Sequence, residues 1–442
     1  MAKVQLQTEI PGPKSRALVA EEKPLLAPGS QGVWQMAGLA FDRGSRDTLT
    51  DVDGNTFIDL LAGICVSSIG HGHPRYAEAL AAQVALLNVG SFTTPPRVDL
   101  LKKIAAFTPG NLNRTMLYSG GSEAVESALR LARAHTGKNE VLSFWGGFHG
   151  KTGGVLGLMG SDFKHGLGPM LPGCHSAPYA DCYRCPFGTT EEKCGLLCAE
   201  FIRDKIKFET TGRLAAILVE PIQGTNGNVV PPDGFITALR DIADECEALL
   251  ICDEMITGFG RTGRNFGCEH AGVMPDIMTV GKGFGAGFPV TGVISTDAIT
   301  SAEPWSKPSF SSSSYGGNAL AAAAASVTMD IIQTEHLVDN AARVGQVILD
   351  RLHEMQQRHP LIGHVRGRGM LIGVDLVEDR QTRTPLCKER CARLFHACTQ
   401  RGLLTMAYAP RLRVNPPLCM DEDTAHEACD ILDLALNEVE AK

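Results

Sequence analysis

Between about residue 100 and residue 290 the chain repeats one local pattern: a short apolar run, a turn rich in glycine or polar residues, then a helical stretch. Thr115 to Tyr118 leads into Ser119-Gly120-Gly121-Ser122 and a helix from Glu123 to Ala134. Within that helix Glu126 and Arg130 stand at the i,i+4 spacing of an ion pair. Glu140 to Trp145 leads into Gly146-Gly147-Phe148-His149-Gly150. Leu214 to Glu220 precedes Pro221-Ile222-Gln223-Gly224, after which Phe235, Leu239, Ile242, Ala243 and Cys246 recur with the helical period. Ala248 to Cys252 is apolar throughout and ends in Asp253-Glu254, and Ile277 to Val280 ends in Gly281-Lys282-Gly283. Strands apolar at nearly every position must be covered on both faces. The class is therefore α/β, with a mostly parallel sheet and helices on both faces. Each of these turns sits at the carboxyl end of a strand, where open α/β sheets bind ligands.

At 442 residues the chain exceeds one core. The expected organisation is an N-terminal arm with part of a small domain over 1–75, a large domain over 76–330 and a C-terminal small α+β domain over 331–442. The first segment carries a hairpin, Leu49 to Leu61, turning at Asp53-Gly54-Asn55. Gly70-His71-Gly72-His73-Pro74 reads as a turn into a helix from Tyr76 to Leu87; two histidines at that spacing are also possible metal ligands. The last segment opens with a long helix, Ile331 to Gln357, and a strand, Met370 to Leu376.

A net charge of −8 argues against nucleic acid or anionic lipid as the main partner. No apolar run has the length of a signal-peptide core or a membrane span, so a cytoplasmic location is expected. Fourteen cysteines in such a chain are expected to be mostly reduced thiols. The crowded stretch Cys174, Cys182, Cys185, Cys194 and Cys198 leaves three readings open: a zinc site, a disulfide or packed thiols.

Lys282 is the residue that the chemistry turns on. A strand delivers it into a glycine-flanked turn, where a flat group can approach and low solvation favours the neutral amine. Such a lysine is suited to imine formation. Gly121 and Ser122 open a helix whose free amides can cradle a phosphate. Phe148 can stack on a heteroaromatic ring. Asp253, at the end of an apolar strand, needs a partner such as a protonated ring nitrogen. Together these specify pyridoxal 5′-phosphate chemistry. A dinucleotide reading of Gly281-Lys282-Gly283 with Ala286 fits the motif formally but leaves Lys282, Asp253 and the other turns without a task.

With these blocks in place the chain resembles the class III (ω-) aminotransferases, a branch of the fold type I pyridoxal phosphate enzymes. The likeness runs from about Gly12 to Val439. It includes Asp51 to Asn55, Gly70 to Pro74, Ser119 to Ala124, Phe148-His149-Gly150, Glu220 to Gly224, Asp253 to Gly263, Gly281-Lys282-Gly283 and Tyr315 to Asn318. The resemblance implies that Lys282 holds the cofactor covalently and shuttles the proton. It places Asp253 at the pyridine nitrogen, Phe148 on the ring, and Gly121 and Ser122 at the phosphate. His149 and Gln223 join the cofactor pocket, Gln223 at the phenolic oxygen.

The resemblance further implies that Glu220 can pair with an active-site arginine and swing aside. Ser314, where the family usually has Thr, would reach the phosphate of a partner subunit, which implies a homodimer with shared sites. Arg413 would grip the α-carboxylate of an amino acid or keto acid. Met255 stands where Val is usual. The implied activity is transfer of an amino group between a primary amine or ω-amino acid and a keto acid, with glutamate/2-oxoglutarate as one pair, and it needs no metal. Racemisation or epimerisation of an amino acid on the same scaffold is the alternative, as is amino transfer to a biosynthetic oxo-sugar or aldehyde. A non-enzymatic scaffold without cofactor is the rival from another class.

Overall fold

The computed structural model describes residues 3–441. They divide into two compact units, one formed by the segments up to Pro74 and from His336 onward, the other by Arg75–Glu335.

In the first unit β1 (Phe41–Ser45), β2 (Thr48–Asp51) and β3 (Thr56–Asp59) form an antiparallel meander. The β2–β3 turn is the Asp53-Gly54 hairpin, with Gly54 at φ 91°. Asp51 closes it by accepting the amides of Asp53 and Asn55, at 2.9 and 2.8 Å. His71 is bound by Asp59 at 2.8 Å, so this histidine of the Gly-His-Gly-His turn has a carboxylate partner.

The second unit is built on seven strands: β4 (Arg114–Tyr118), β5 (Glu140–Phe144), β6 (Cys174–Ala177), β7 (Leu214–Val219), β8 (Leu249–Asp253), β9 (Ile277–Val280) and β10 (Thr291–Ser295). Their spatial order is β4-β10-β9-β8-β7-β5-β6. From β6 to β9 every pair is parallel, and β10 runs antiparallel to both β9 and β4. Every residue of β5, β7, β8, β9 and β10 is buried.

The pleat explains this double burial. Val141, Ala216, Leu218 and Ile251 pack with Val125, Ala128, Leu129 and Ala132 of the helix Gly121–Thr136. Phe144, on the opposite face of β5, meets Phe235 of the helix Phe235–Glu245 at 5.8 Å between ring centroids. Helices therefore cover both faces, and the fold is type I.

The remaining strands, β11 (Ile362–Arg368), β12 (Leu371–Asp379), β13 (Thr384–Pro385), β14 (Leu403–Leu404) and β15 (Arg411–Val414), belong to the first unit. β14 extends the N-terminal meander by pairing parallel to β3, and β12 carries β11, β13 and β15.

Two local expectations are corrected. The long helix is two, Ala319–Thr334 and Leu337–Arg358, because His336 takes a left-handed φ of 52° that ends the first hydrogen-bond ladder. Glu126 and Arg130 do not pair. Glu126 accepts from the Thr152 hydroxyl and Arg130 donates to the Phe310 carbonyl, so both are drawn to distant partners.

All fourteen cysteines are unbridged. Among the described residues no cluster of three or more His, Cys, Asp or Glu is arranged to hold a metal, and no helix is long and apolar enough to cross a membrane.

Candidate active site

The strand ends of the seven-stranded sheet converge on one locus. β8 ends at Asp253, which is 2% exposed. A carboxylate there would be costly without partners, and three donors meet it. His149 Nδ1 lies 2.7 Å from Oδ2, while Oδ1 accepts from Thr279 Oγ1 at 3.0 Å and from the Met255 amide at 3.2 Å. Thr279 was not among the sequence candidates. Its one signal was a hydroxyl inside the otherwise apolar run of β9, directly opposite Asp253 in the parallel register.

β9 delivers Lys282 three residues later. Lys282 is half-buried and adopts φ 46°, and its side-chain ammonium makes no hydrogen bond or ion pair among the described residues. A left-handed φ at a non-glycine residue costs about 1–2 kcal/mol. The turn is held by Phe284 N donating to Gly281 O at 3.0 Å and Gly285 N to Lys282 O at 3.1 Å. Phe284, fully buried, stacks on Phe259 at 4.7 Å and anchors the turn from below.

Met255 links the lysine turn to the helix start. A Cβ at Gly281 would stand 2.6 Å from Met255 Sδ, and one at Gly121 would stand 3.6 Å from it. Only glycine fits at 281 without moving the thioether. At the helix start Glu123 accepts the amides of Ser119 and Gly120, at 3.2 and 3.3 Å. The amides of Gly121 and Ser122, at the positive end of a 16-residue helix, have no hydrogen-bond acceptor among the described residues. Ser122 Oγ accepts from the Lys151 amide at 3.2 Å. Gly150 packs so closely on Ser122 that a Cβ there would overlap its hydroxyl.

The β5 and β7 ends close the other side. Glu220 is buried, and its Oε1 accepts the Phe148 amide at 2.9 Å while Oε2 accepts the Gly224 amide at 3.0 Å. Burial pushes the Glu220 carboxyl above its ordinary range; His149 pulls it back and Asp253 pushes it further up. Gln223 donates from Nε2 to Trp145 O at 2.9 Å and accepts at Oε1 from Asn226 at 2.8 Å. Phe148 meets Phe163 edge-on at 5.8 Å, and the Lys151 ammonium lies 4.8 Å from the Phe163 ring centre. Lys151, like Thr279, was not singled out in the sequence.

Eight of the ten sequence candidates thus stand in one neighbourhood within Arg75–Glu335: Gly121, Ser122, Phe148, His149, Glu220, Gln223, Asp253 and Lys282. Ser314 is in the same unit but apart from them, on an exposed segment, with no hydrogen bond from its hydroxyl among the described residues. Arg413 is in the other unit, on β15 opposite Gly373 of β12. It is half-buried, and its guanidinium also has no partner among the described residues.

Residues 30–436 match the family model described as aminotransferase class-III. The 4-aminobutyrate aminotransferase of Mycobacterium leprae is 34% identical, covering 98% of each chain. A leucine/methionine racemase of Thermococcus litoralis is also 34% identical, covering 88% of each. Among solved structures, an amine transaminase from an uncultivated Pseudomonas species in its PLP-bound form superimposes with a TM-score of 0.88. It has 30% identity and covers 93% of this chain and 98% of that one.

Proposed function

Because the chain belongs to the class III aminotransferases, we propose that it moves an amino group from a primary amine or ω-amino acid to a keto acid, 2-oxoglutarate first among them, by a ping-pong route. Its cofactor is pyridoxal 5′-phosphate. One observation carries the reading. A buried carboxylate held by three donors ends β8, and just past the end of the adjacent strand β9 a lysine, its ammonium unpaired among the described residues, stands between two glycines.

The residues fit the cofactor. Gly281 and Gly150 let the lysine turn and the Phe148 turn pack directly on Met255 and Ser122, and the Gly121 and Ser122 amides, without a partner among the described residues, are the donors a phosphate needs. The amides of Gly121 and Ser122 and the Ser122 hydroxyl would bind the phosphate. Phe148 would stack on the ring, Gln223 would serve the phenolic oxygen, and Asp253 would hold the ring nitrogen's proton. When bound, the cofactor supplies a carbonyl carbon that condenses with amines and a ring that accepts the electron pair left at the substrate Cα.

Lys282 Nζ would hold the cofactor covalently and, once released from it, would be the base that takes and gives back the substrate Cα proton. His149 keeps the Asp253 carboxylate oriented through both half-reactions. Arg413 clamps the α-carboxylate of the amino acid or keto acid partner. Glu220, whose two oxygens accept the Phe148 and Gly224 amides, is the acid that would pair with an active-site arginine and swing aside when a substrate needs the space. The enzyme works in the cytoplasm as a homodimer, with Ser314 of each copy completing the phosphate site of the other.

A second reading, amino acid racemisation, is favoured by the racemase at 34% identity. Amino transfer to an oxo-sugar or aldehyde uses the same residues. One experiment sorts them: the cofactor-loaded protein is mixed with single amines and amino acids while the cofactor absorbance is followed. A stoichiometric spectral change with glutamate and with one further amine, reversed by the matching keto acid, supports amino transfer. An unchanged spectrum with loss of optical activity, in the absence of any keto acid, selects racemisation. Absence of bound cofactor overturns both.

A further inference from the structure

A closed polar circuit lies beneath the segment that carries Ser314. Tyr118, the last residue of β4, is 2% exposed, and its hydroxyl donates to Ser311 O at 2.7 Å. A phenol has one proton to give, so the 2.5 Å contact with Ser127 Oγ has the serine as donor. Trp305 Nε1 donates to the same Ser127 Oγ at 3.1 Å, and Ser311 Oγ donates to Trp305 O at 2.8 Å. Every member is buried and satisfied. A buried cluster of this kind holds its parts rigidly, because each broken bond leaves an orphaned group.

The circuit holds a segment with few other anchors. From Ser309 to Gly316 only Ser311 is buried. Phe310 and Tyr315 are 59% and 74% exposed. The far end of the segment is fixed by glycine: a Cβ at Gly316 would collide with the Leu117 carbonyl, and Gly317, at φ 67°, packs on the Leu117 side chain. Two consecutive residues of β4, Leu117 and Tyr118, therefore clamp the segment on either side of Ser314. The exposed, unpartnered Ser314 hydroxyl is held between the clamps, at the rim of a cavity of about 640 Å³ also lined by Arg97, Ser312 and Ser313. The residues that follow Tyr118 are Ser119 and Gly120, at the mouth of the chain's own phosphate cradle.

We infer that Tyr118, acting through Ser127, Trp305 and Ser311, is a positioning residue that holds Ser314 for the cofactor phosphate of a second copy of the chain. This rests on the reading of Ser314 as a phosphate contact across the dimer. Tyr118 serves a phosphate that it does not touch, and it ties the cradle of one site to the support of the other.

The test compares the wild-type holoenzyme with Ser314→Ala, Tyr118→Phe, Ser127→Ala, Ser127→Thr and the Tyr118→Phe/Ser314→Ala pair. Release of the cofactor is followed by its absorbance during dialysis, with sedimentation and melting recorded for each protein. Ser314→Ala and Tyr118→Phe are each expected to speed release about tenfold, the worth of one hydrogen bond. The pair is expected to be no faster than Ser314→Ala alone, because both changes remove the same contact. Ser127→Thr, which keeps the hydroxyl, is expected to retain the cofactor as wild type does, and Ser127→Ala to lose it as Tyr118→Phe does.

Multiplicative effects in the pair, or a lowered melting temperature with wild-type release in Tyr118→Phe, would overturn the proposal while leaving the Ser314 reading intact. Wild-type release by Ser314→Ala would overturn that reading, and the proposal with it. If Tyr118→Phe fails to fold, Ser127→Ala combined with Ser314→Ala gives the same cycle.

Discussion

His149 Nδ1 stands 2.7 Å from Asp253 Oδ2 with both side chains buried, so the carboxylate is aimed by the protein before any cofactor arrives. Thr279 and the Met255 amide take the other oxygen. Preorganisation of this kind is worth most where charge develops during reaction. Asp253→Asn keeps the shape but removes the charge that stabilises a protonated ring nitrogen. The expected outcome is a half-reaction slowed about 10³-fold, or ~4 kcal/mol, with cofactor still bound. His149→Phe leaves the charge and loosens its aim, for a loss of about tenfold. Stopped-flow absorbance with a single amine donor measures both. A wild-type rate in Asp253→Asn would remove the carboxylate from the chemistry.

Lys282 differs in kind, because no other amine in its turn can replace it. Lys282→Ala is expected to bind cofactor without a covalent link and to lose about 10⁴-fold in rate, or ~5.5 kcal/mol. Borohydride treatment followed by mass spectrometry checks the link: the wild type gains the cofactor mass on the peptide bearing Lys282, and the variant does not. Phe284→Ala tests the support instead. Removing a fully buried ring that stacks on Phe259 is expected to cost about 3–5 kcal/mol of stability, read from urea melts.

Much of this architecture was legible because it is local. Asp253 and Lys282 end strands that are apolar at nearly every position, and a polar residue closing such a run is visible without any tertiary knowledge. The glycine turns are visible for the same reason. β10 was not legible: Thr291–Ser295 enters between β4 and β9 against the parallel direction, a choice made by long-range pairing. The break at His336 was hidden because apolar periodicity continues on both sides of it. Glu126 and Arg130 have ideal spacing, yet Thr152 and Phe310 take them, since tertiary partners outweigh an i,i+4 pair worth a few tenths of a kcal/mol. Thr279 escaped notice because a threonine in a strand reads as an ordinary β-branched residue until its register with Asp253 is known.

Arg413 gives a prediction that separates the two substrates. Its guanidinium is half-buried on β15 and unpaired among the described residues, an arrangement suited to a bidentate carboxylate. Arg413→Ala is expected to raise KM for 2-oxoglutarate about 10- to 100-fold, in line with ~1.5–3 kcal/mol for hydrogen bonds to a charged group. The half-reaction with a simple monoamine should change less than about threefold, because that amine has no carboxylate to hold. Arg413→Lys should recover only part of the loss, since an ammonium lacks the planar fork. Equal losses with both substrates would assign Arg413 to folding rather than recognition.

Glu220 carries a pH dependence whose sign is set by burial. Burial raises its carboxyl above the ordinary range, with His149 and the amides of Phe148 and Gly224 opposing and Asp253 adding to the rise. An unfolded glutamate titrates near about 4.3. With the folded value above that, the folded chain binds this proton more tightly than the unfolded chain does. The contribution to stability is then fully present below the unfolded value and is lost as pH rises through the folded one. Glu220→Gln removes the titration and keeps an acceptor for one of the two amides, its NH2 facing the other. Melting temperatures of the wild type and Glu220→Gln, taken from about pH 4 to about pH 7.5, are therefore expected to differ in slope. The wild type should lose stability relative to the variant as pH rises, and the gap between them should stop changing at the acid end. Parallel curves across that range would show that the buried carboxyl adds no pH dependence of its own.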